Sequence, residues 1–328
     1  MNVSMWLKAV RTIPRISKEE WDGLDVISRW LIATRSAVLV MTLISAGIAG
    51  LLAAKAGLFN GWNFSALTLG LLFAHATNNM LNDMTDYRRG VDKDNYFRTM
   101  YGPQPLEQGL MSERSLLTYV GVTGALAVVA GLFLVLQQGW MILALMAVGA
   151  FFVLFYTWPL KYIGMGELAV ILVWGPLMVG GGYFAITGLW SWNVCIASLP
   201  FALAVTSVIF GKHIDKLPED KAKGIHTLPV LIGEKAGRYI VYAMFALMYL
   251  TVVYLVIIRF FSPWMLLVFL TLYWALPVLK IYSNPRPAER PAEFSQEVWP
   301  LWFVAAAFYH TRLYGTFFVI GLILSLIF

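Results

Sequence analysis

Long apolar stretches, parted by short polar breaks, occupy most of the chain. They run at roughly 28–53, 62–83, 115–137, 139–157, 165–187, 190–211, 238–258, 262–283 and 300–328. Each is close to the ~20 residues an α-helix needs to cross a bilayer. The pattern predicts an all-α, polytopic membrane bundle of about nine transmembrane helices. In the last stretch "YHTRLYG" at 309–315 interrupts the apolar run, predicting a re-entrant piece followed by a short span. Nothing reads as a separate soluble unit. The chain is expected to be one domain, 1–328, with residues 1–27 as a cytosolic N-terminal segment.

Composition supports the membrane reading. Of 328 residues, 59% are hydrophobic and only 13% charged, more apolar surface than a soluble fold hides. The first 25 residues are mixed and charged, without the apolar core and small-residue cleavage site of a signal peptide. The single cysteine, Cys195, lies in an apolar run, so neither a disulfide framework nor a cysteine metal site is expected. Membrane lipids are expected neighbours, and nucleic acid is not an expected partner.

Charge sets the orientation. With the N-terminus inside, the inner loops carry Lys8, Arg11, Arg15, Lys18 and Arg29, then Arg88, Arg89, Lys93, Arg98 and Arg114. Lys161, the six basic residues from Lys212 to Arg238, and Lys280, Arg286 and Arg290 lie there too. Only Lys55 and Arg259 fall outside, while Arg35 and Arg312 lie within or beside spans near the inner face. All 18 acids are on the inner side as well. One face is nearly charge-free, and the other is expected to carry the chemistry.

Two inner loops are long, 84–114 and 212–237, and each opens on an acidic cluster. The clusters, "NDMTDYRRGVD" and "HIDKLPED", follow the second and sixth spans, as a duplication of a four-span half with a ninth span added predicts. "SNPRPAERPAEF" at 283–294 reads as a surface loop. In the first cluster Asn79, Asn82, Asp83 and Asp86 are spaced 0, +3, +4 and +7, one stripe of a helix. Gly90 permits a turn before Asp92 and Asp94. Carboxylates on one stripe repel each other and are best stabilised by a hard cation. Mg²⁺ suits an oxygen-only set completed by substrate phosphates. Arg88, Arg89, Lys93 and Arg98 then serve as phosphate clamps. Inner-loop bias alone accounts for such basic residues. It does not account for asparagines reaching back into an apolar span, where polar groups are costly. The second cluster offers Asp215, Glu219 and Asp220, flanked by Lys212, Lys216, Lys221 and Lys223, although Pro218 disfavours a regular helix there. Together the clusters suggest two Mg²⁺ ions bridging one diphosphate.

At these residues the chain resembles the UbiA superfamily of membrane prenyltransferases. Asn82-Asp83-Met84-Thr85-Asp86 matches its first aspartate motif, and "YRRGVD" is similar to the form in the dihydroxynaphthoate-prenylating branch. Further likeness lies in "ATRSAVLVMTLISAGIAG" (33–50), "YGPQPLEQGLMS" (101–112), "YTWPLKYIGMGELAVILVWGPLMVGGGYFAITG" (156–188) and "DKAKGIHTLPVLIGEKAG" (220–237). The chain departs from the family in several places. Ser36 stands where a proline is usual. Asp215 and Asp220 are five apart rather than four, preceded by Lys212, His213 and Ile214. Tyr156 and Lys161 are one residue wider than the family's commonest tyrosine–lysine pair.

The resemblance implies a nine-helix bundle around a central cavity whose cytosolic mouth binds a polyprenyl diphosphate through Mg²⁺. It implies Asn82, Asp86, Asp215 and Asp220 as ion ligands, with Asn79, Asp83 and Glu219 as replacements or supporting partners. Asp83, Asp86, Asp215, Asp220 and Tyr156 form the expected catalytic set, with Tyr156 a cation-stabilising aromatic. Arg89, Lys93, Arg98, Lys161 and Lys221 are the implied diphosphate clamps, and Arg35 a contact for the carboxylate or phenolate of an aromatic acceptor such as dihydroxynaphthoate. Arg35 snorkelling to the interface is the alternative. His75 reads as a packing histidine or a cavity residue, and Glu167 as a helix cap or a partner of Lys161. His213 and His226 lack metal-ligand spacing and read as loop residues. The expected function is prenyl transfer in quinone biosynthesis. A terpene cyclase with the same diphosphate site is the alternative, and a transporter is disfavoured because both clusters lie on one face.

Overall fold

In a bilayer a segment must satisfy its own backbone groups, which leaves long apolar runs little choice but the helix. The computed structural model describes residues 2–93, 102–296 and 298–328, and contains no strand among them. In chain order the helices are α1 (Val3–Arg11), α2 (Lys18–Asp22), α3 (Val26–Ala33), α4 (Val40–Lys55), α5 (Gly61–Arg88), α6 (Glu113–Gln138) and α7 (Trp140–Phe155). They continue with α8 (Gly166–Thr187), α9 (Trp192–Asp215), α10 (Leu217–Ala222), α11 (Leu228–Ile232), α12 (Glu234–Ile257), α13 (Pro263–Ser283) and α14 (Trp302–Ile327). Seven are long and apolar enough to cross a membrane among the described residues, counting the turn Ser36–Val38 with α4; the others are α6, α8, α9, α12, α13 and α14. The apolar α7 is shorter, and α5 carries His75, Asn78, Asn79, Asn82, Asp83 and Asp86 along its length.

Three expectations change. The stretch 28–53 is not one helix: α3 ends at Ala33, Arg35 takes a left-handed conformation (φ 53°), and α4 begins at Val40. Local side chains compete with the helical ladder there. The Thr34 hydroxyl donates to Trp30 O at 2.8 Å, and the Ser36 hydroxyl to Leu31 O at 2.8 Å. The second span runs on to Arg88, so the whole Asn/Asp stripe is helical. The last stretch is one unbroken helix, α14, because its polar residues find partners inside the bundle. His310 Nε2 lies 2.9 Å from the Tyr249 hydroxyl, and the Thr311 hydroxyl donates to Ala204 O at 2.8 Å.

The buried α9 is the hub, packed against α14, α12 and α8. It crosses α14 closely at Gly211, where an added Cβ would meet Phe303 C and Val304 N, each at 2.8 Å. Within α8 a π-helical stretch, Val173–Gly180, kinks at Gly175 beside Pro176. The interrupted ladder leaves Trp174 O to accept the Ser45 hydroxyl at 3.3 Å.

The N-terminal helix is tied down by one carboxylate. Asp25 caps α3 by accepting Ser28 N–H at 3.0 Å, and also accepts Asn2 N–H at 2.7 Å and Trp6 Nε1–H at 3.1 Å. The Ser28 N–H foremost, then the Asn2 and Trp6 donors, hold this carboxyl well below the usual carboxylate range. A depressed folded pKa stabilises docking above the ordinary aspartate value and loses that contribution as pH falls through the folded one. Asp25→Ala is therefore expected to free α1 at neutral pH. Limited trypsin digestion should then cut after Lys8 and Arg11 several-fold faster.

Candidate active site at the polar end of the cavity

A cavity of about 1260 Å³ lies within the bundle. Its walls are mostly apolar, among them Met41, Leu71, Leu134, Met146, Phe152 and Leu177. Polar groups reach it from α5 (His75, Asn78, Asn79 and Asn82), from Arg35 at the α3–α4 break, from Tyr156 just past α7, from Lys212 near the end of α9 and from Arg312 of α14. Arg11 and Thr12 of the N-terminal segment line it as well.

The helical spacing of the stripe becomes a set of inter-helix bonds. Asn78 Nδ2 donates to Val153 O at 2.9 Å, and Asn79 Nδ2 to Thr34 O at 2.9 Å, satisfying the chain where α3 breaks. Asn82 Oδ1 accepts the Thr157 hydroxyl at 3.1 Å. Asp83 pairs with the buried Arg35 guanidinium. Asp86 accepts Lys161 Nζ through both oxygens, at 2.8 and 3.1 Å. Burial opposes the Lys161 charge, but the Asp86 carboxylate, aided by Asp220, outweighs it and holds the ammonium above the ordinary lysine value. It therefore stays charged throughout the neutral range.

The connection 156–163 faces the stripe. The Arg89 guanidinium lies over the rings of Trp158 and Tyr162, 4.6 and 5.2 Å from their centroids. The two loops are tied together by Lys223, whose Nζ donates to Gly90 O (3.2 Å), Val91 O (2.6 Å) and Lys93 O (2.8 Å). Lys93 and Lys221 are exposed, and Arg98 and Asp94 lie outside the described residues.

The second acidic cluster departs from expectation. Asp215 serves a neighbouring helix. Its carboxylate accepts Phe303 N–H at 3.1 Å and Val304 N–H at 3.0 Å, capping α14. The close crossing at Gly211, one turn earlier, brings those donors within reach. Asp220 pairs with Lys216 at 3.1 Å. Glu219 Oε2 is buried without a hydrogen-bond partner among the described residues.

Three neighbouring polar residues resolve similarly. Glu167 does not reach for Lys161; it accepts Leu228 N–H at 3.2 Å, at the start of α11, and lies 2.6 Å from His213 Nδ1. His213 is thus a buried residue of α9 rather than a loop residue. His75 does both things expected of it, lining the cavity and bonding Thr42 (2.7 Å) while packing edge-on to Trp174. Thr157, which orients Asn82, went unnoticed in the sequence; its place beside Tyr156 in "YTWPLKY" was the available signal.

For a magnesium ion the first stripe fits: Asn82 and Asp86 offer hard oxygen donors four residues apart on one helical face. Among the described residues no three Asp, Glu, His or Cys side chains come together as a ready cage. The second cluster fits less well, since Asp215 is committed to the N–H groups of α14; Asp220 pairs with Lys216 as Asp86 pairs with Lys161.

Comparison with known proteins bears on the family and the fold. The chain is 27% identical over 266 residues to the 1,4-dihydroxy-2-naphthoate octaprenyltransferase of Bacillus subtilis (strain 168), covering 80% of each. It is 27% identical over 233 residues to the 2-carboxy-1,4-naphthoquinone phytyltransferase of Synechocystis, 68% of this chain and 73% of that relative. The fold resembles a solved UbiA homolog from Archaeoglobus fulgidus bound to GPP and Mg²⁺, with TM-score 0.52 and 17% identity over 87% of this chain and 98% of that one. Residues 42–303 match the UbiA prenyltransferase family, from α4 to the first turn of α14, and the chain belongs to that family.

Proposed function

We propose that this protein transfers a polyprenyl group from its diphosphate to an aromatic acceptor of the dihydroxynaphthoate type, with Mg²⁺ assistance. The observation that carries the reading is a large apolar cavity with Asn79, Asn82, Arg35 and Tyr156 at its polar end and the Asp86–Lys161 pair beside Asn82. The octaprenyl- and phytyltransferase relatives support the acceptor class. The distribution of charge supports a mouth on the cytosolic face of the cytoplasmic membrane.

Asn82 and Asp86 would hold the ion, with Asn79 and Asp83 supporting them from the same stripe. When bound, the ion supplies positive charge to the departing pyrophosphate. Lys161 and Arg89 would pair with phosphate oxygens, and the stack of Arg89 on Trp158 and Tyr162 limits its freedom before substrate arrives. Lys93, Arg98 and Lys221 would add charge at the rim. The C–O bond to the allylic carbon breaks, its electrons leaving with the diphosphate. The apolar walls keep water from the resulting allylic cation. Tyr156 offers it a π-face. The electron-rich acceptor carbon then forms the new bond and loses its proton. Arg35, already paired with Asp83, holds the α3–α4 break against the stripe and would position the acceptor from there.

The test uses the purified protein with Mg²⁺ and geranylgeranyl diphosphate, with and without dihydroxynaphthoate. Pyrophosphate release that requires the acceptor, with a prenylated aromatic product by mass spectrometry, is the expected result. Acceptor-independent release with a cyclic hydrocarbon or alcohol would replace this reading with a cyclase.

A further inference from the structure

We propose that a single divalent ion, at the Asn82–Asp86 stripe, accompanies the diphosphate, and that the buried Lys216 ammonium provides the positive charge at the second acidic cluster. The inference rests on the prenyl-diphosphate reading and departs from the two ions that two acidic clusters suggest.

The second cluster has three carboxylates, and two are already engaged. Asp215, 1% exposed, is held by Phe303 N–H and Val304 N–H, with Arg286 4.0 Å away. These donors are the first backbone groups of α14, which no carbonyl of their own helix can satisfy. Turning Asp215 toward an ion would leave them buried and unmet. Asp220, 2% exposed, pairs with Lys216, itself 5% exposed, at 3.1 Å. An ion on Asp220 would share it with Lys216, as an ion on Asp86 would share it with Lys161, but with Asp215 committed to α14 it would lack the second oxygen donor that Asn82 offers beside Asp86. Glu219 remains, but one carboxylate three residues beyond an ammonium is a poor host for an ion that needs six oxygens in octahedral array.

The place of Lys216 in the fold gives it a positive role. Lys216 N–H bonds Lys212 O at 3.2 Å and Asp220 N–H bonds Lys216 O at 2.8 Å, so the helical register carries through the end of α9 into α10. Lys212, Lys216 and Asp220 therefore follow one another along one face. Lys212, one turn before Lys216, lines the cavity. Lys223, just past α10, donates to Gly90 O and Val91 O and so ties this segment to the turn that follows the first stripe. A resident ammonium is a compact charge that binds phosphate well and needs no recruitment from solution.

The test counts ions. The full chain in nanodiscs is loaded with Mn²⁺ and geranylgeranyl thiolodiphosphate, and bound Mn²⁺ is measured by equilibrium dialysis and electron paramagnetic resonance. One Mn²⁺ per chain without Mn–Mn coupling is expected. Two coupled ions would overturn the inference and leave the prenyl-diphosphate reading standing; no bound ion would overturn both. Lys216→Met is expected to weaken binding of the analogue roughly 10- to 100-fold, with the count still one. Lys216→Asp, which sets two carboxylates four residues apart, is expected to raise the count to two. Wild-type affinity in the first variant, or a count of one with wild-type affinity in the second, would remove Lys216 from the site. Glu219→Gln is expected to leave the count at one; a fall to none would place the ion at the second cluster and overturn the inference.

Discussion

Asp86→Ala is expected to lower Mg²⁺-dependent pyrophosphate release by roughly 10²–10³-fold, the scale set by removing one group that stabilises developing charge. The loss is expected chiefly in kcat, because the carboxylate would act through the departing diphosphate rather than the isoprenoid tail. The same change leaves the Lys161 ammonium buried without its main counter-charge, and breaking such a pair costs about 3–5 kcal/mol. Stability and activity therefore have to be read side by side. Asp86→Asn separates them: its amide oxygen still accepts from Lys161, so the fold should survive, while the charge an ion needs is gone. Pyrophosphate release and thermal stability in detergent measure the two effects. Undiminished release from a folded Asp86→Asn protein would remove the first stripe from the mechanism.

The opposite signature is expected at Asp215. Asp215→Ala should cost about 3 kcal/mol of stability, since it strips the acceptor from two buried N–H groups of α14. Asp215→Asn keeps one accepting oxygen and should cost about 1 kcal/mol. Both should retain wild-type affinity for the thiolodiphosphate analogue. Gly211→Ala should mimic the larger effect, because its Cβ would press on Phe303 and Val304 at the same crossing. Unfolding by SDS titration in mixed micelles gives the stability change, and analogue binding gives the rest. An Asp215→Ala protein of undiminished stability that no longer binds the ion would make Asp215 a ligand after all.

These two aspartates mark the limit of what local pattern can express. Asp86 belongs to a stripe whose members are three and four residues apart, so helical periodicity alone puts them on one face, and their cost in an apolar span signals a purpose. Asp215 looks equivalent in sequence. Its partners lie 88 and 89 residues further on, and they meet it only because α9 and α14 cross closely at Gly211. Lys216 reads as one more cation in a basic loop until its burial beside Asp220 is known.

The helical class, the membrane setting, the approximate place of the apolar segments and the oxygen-rich stripe on α5 are all legible in the amino-acid order. All of these follow from short-range periodicity and from the cost of leaving polar backbone in lipid. Tertiary structure decided the break at Arg35, the continuity of α14 through His310 and Thr311, and the division of the acidic residues between ion pairs and a helix cap. The physical reason is the same in each case. A polar group within the bundle is tolerated or disruptive according to the partner it meets, and that partner comes from a distant part of the chain, brought near only by helix packing.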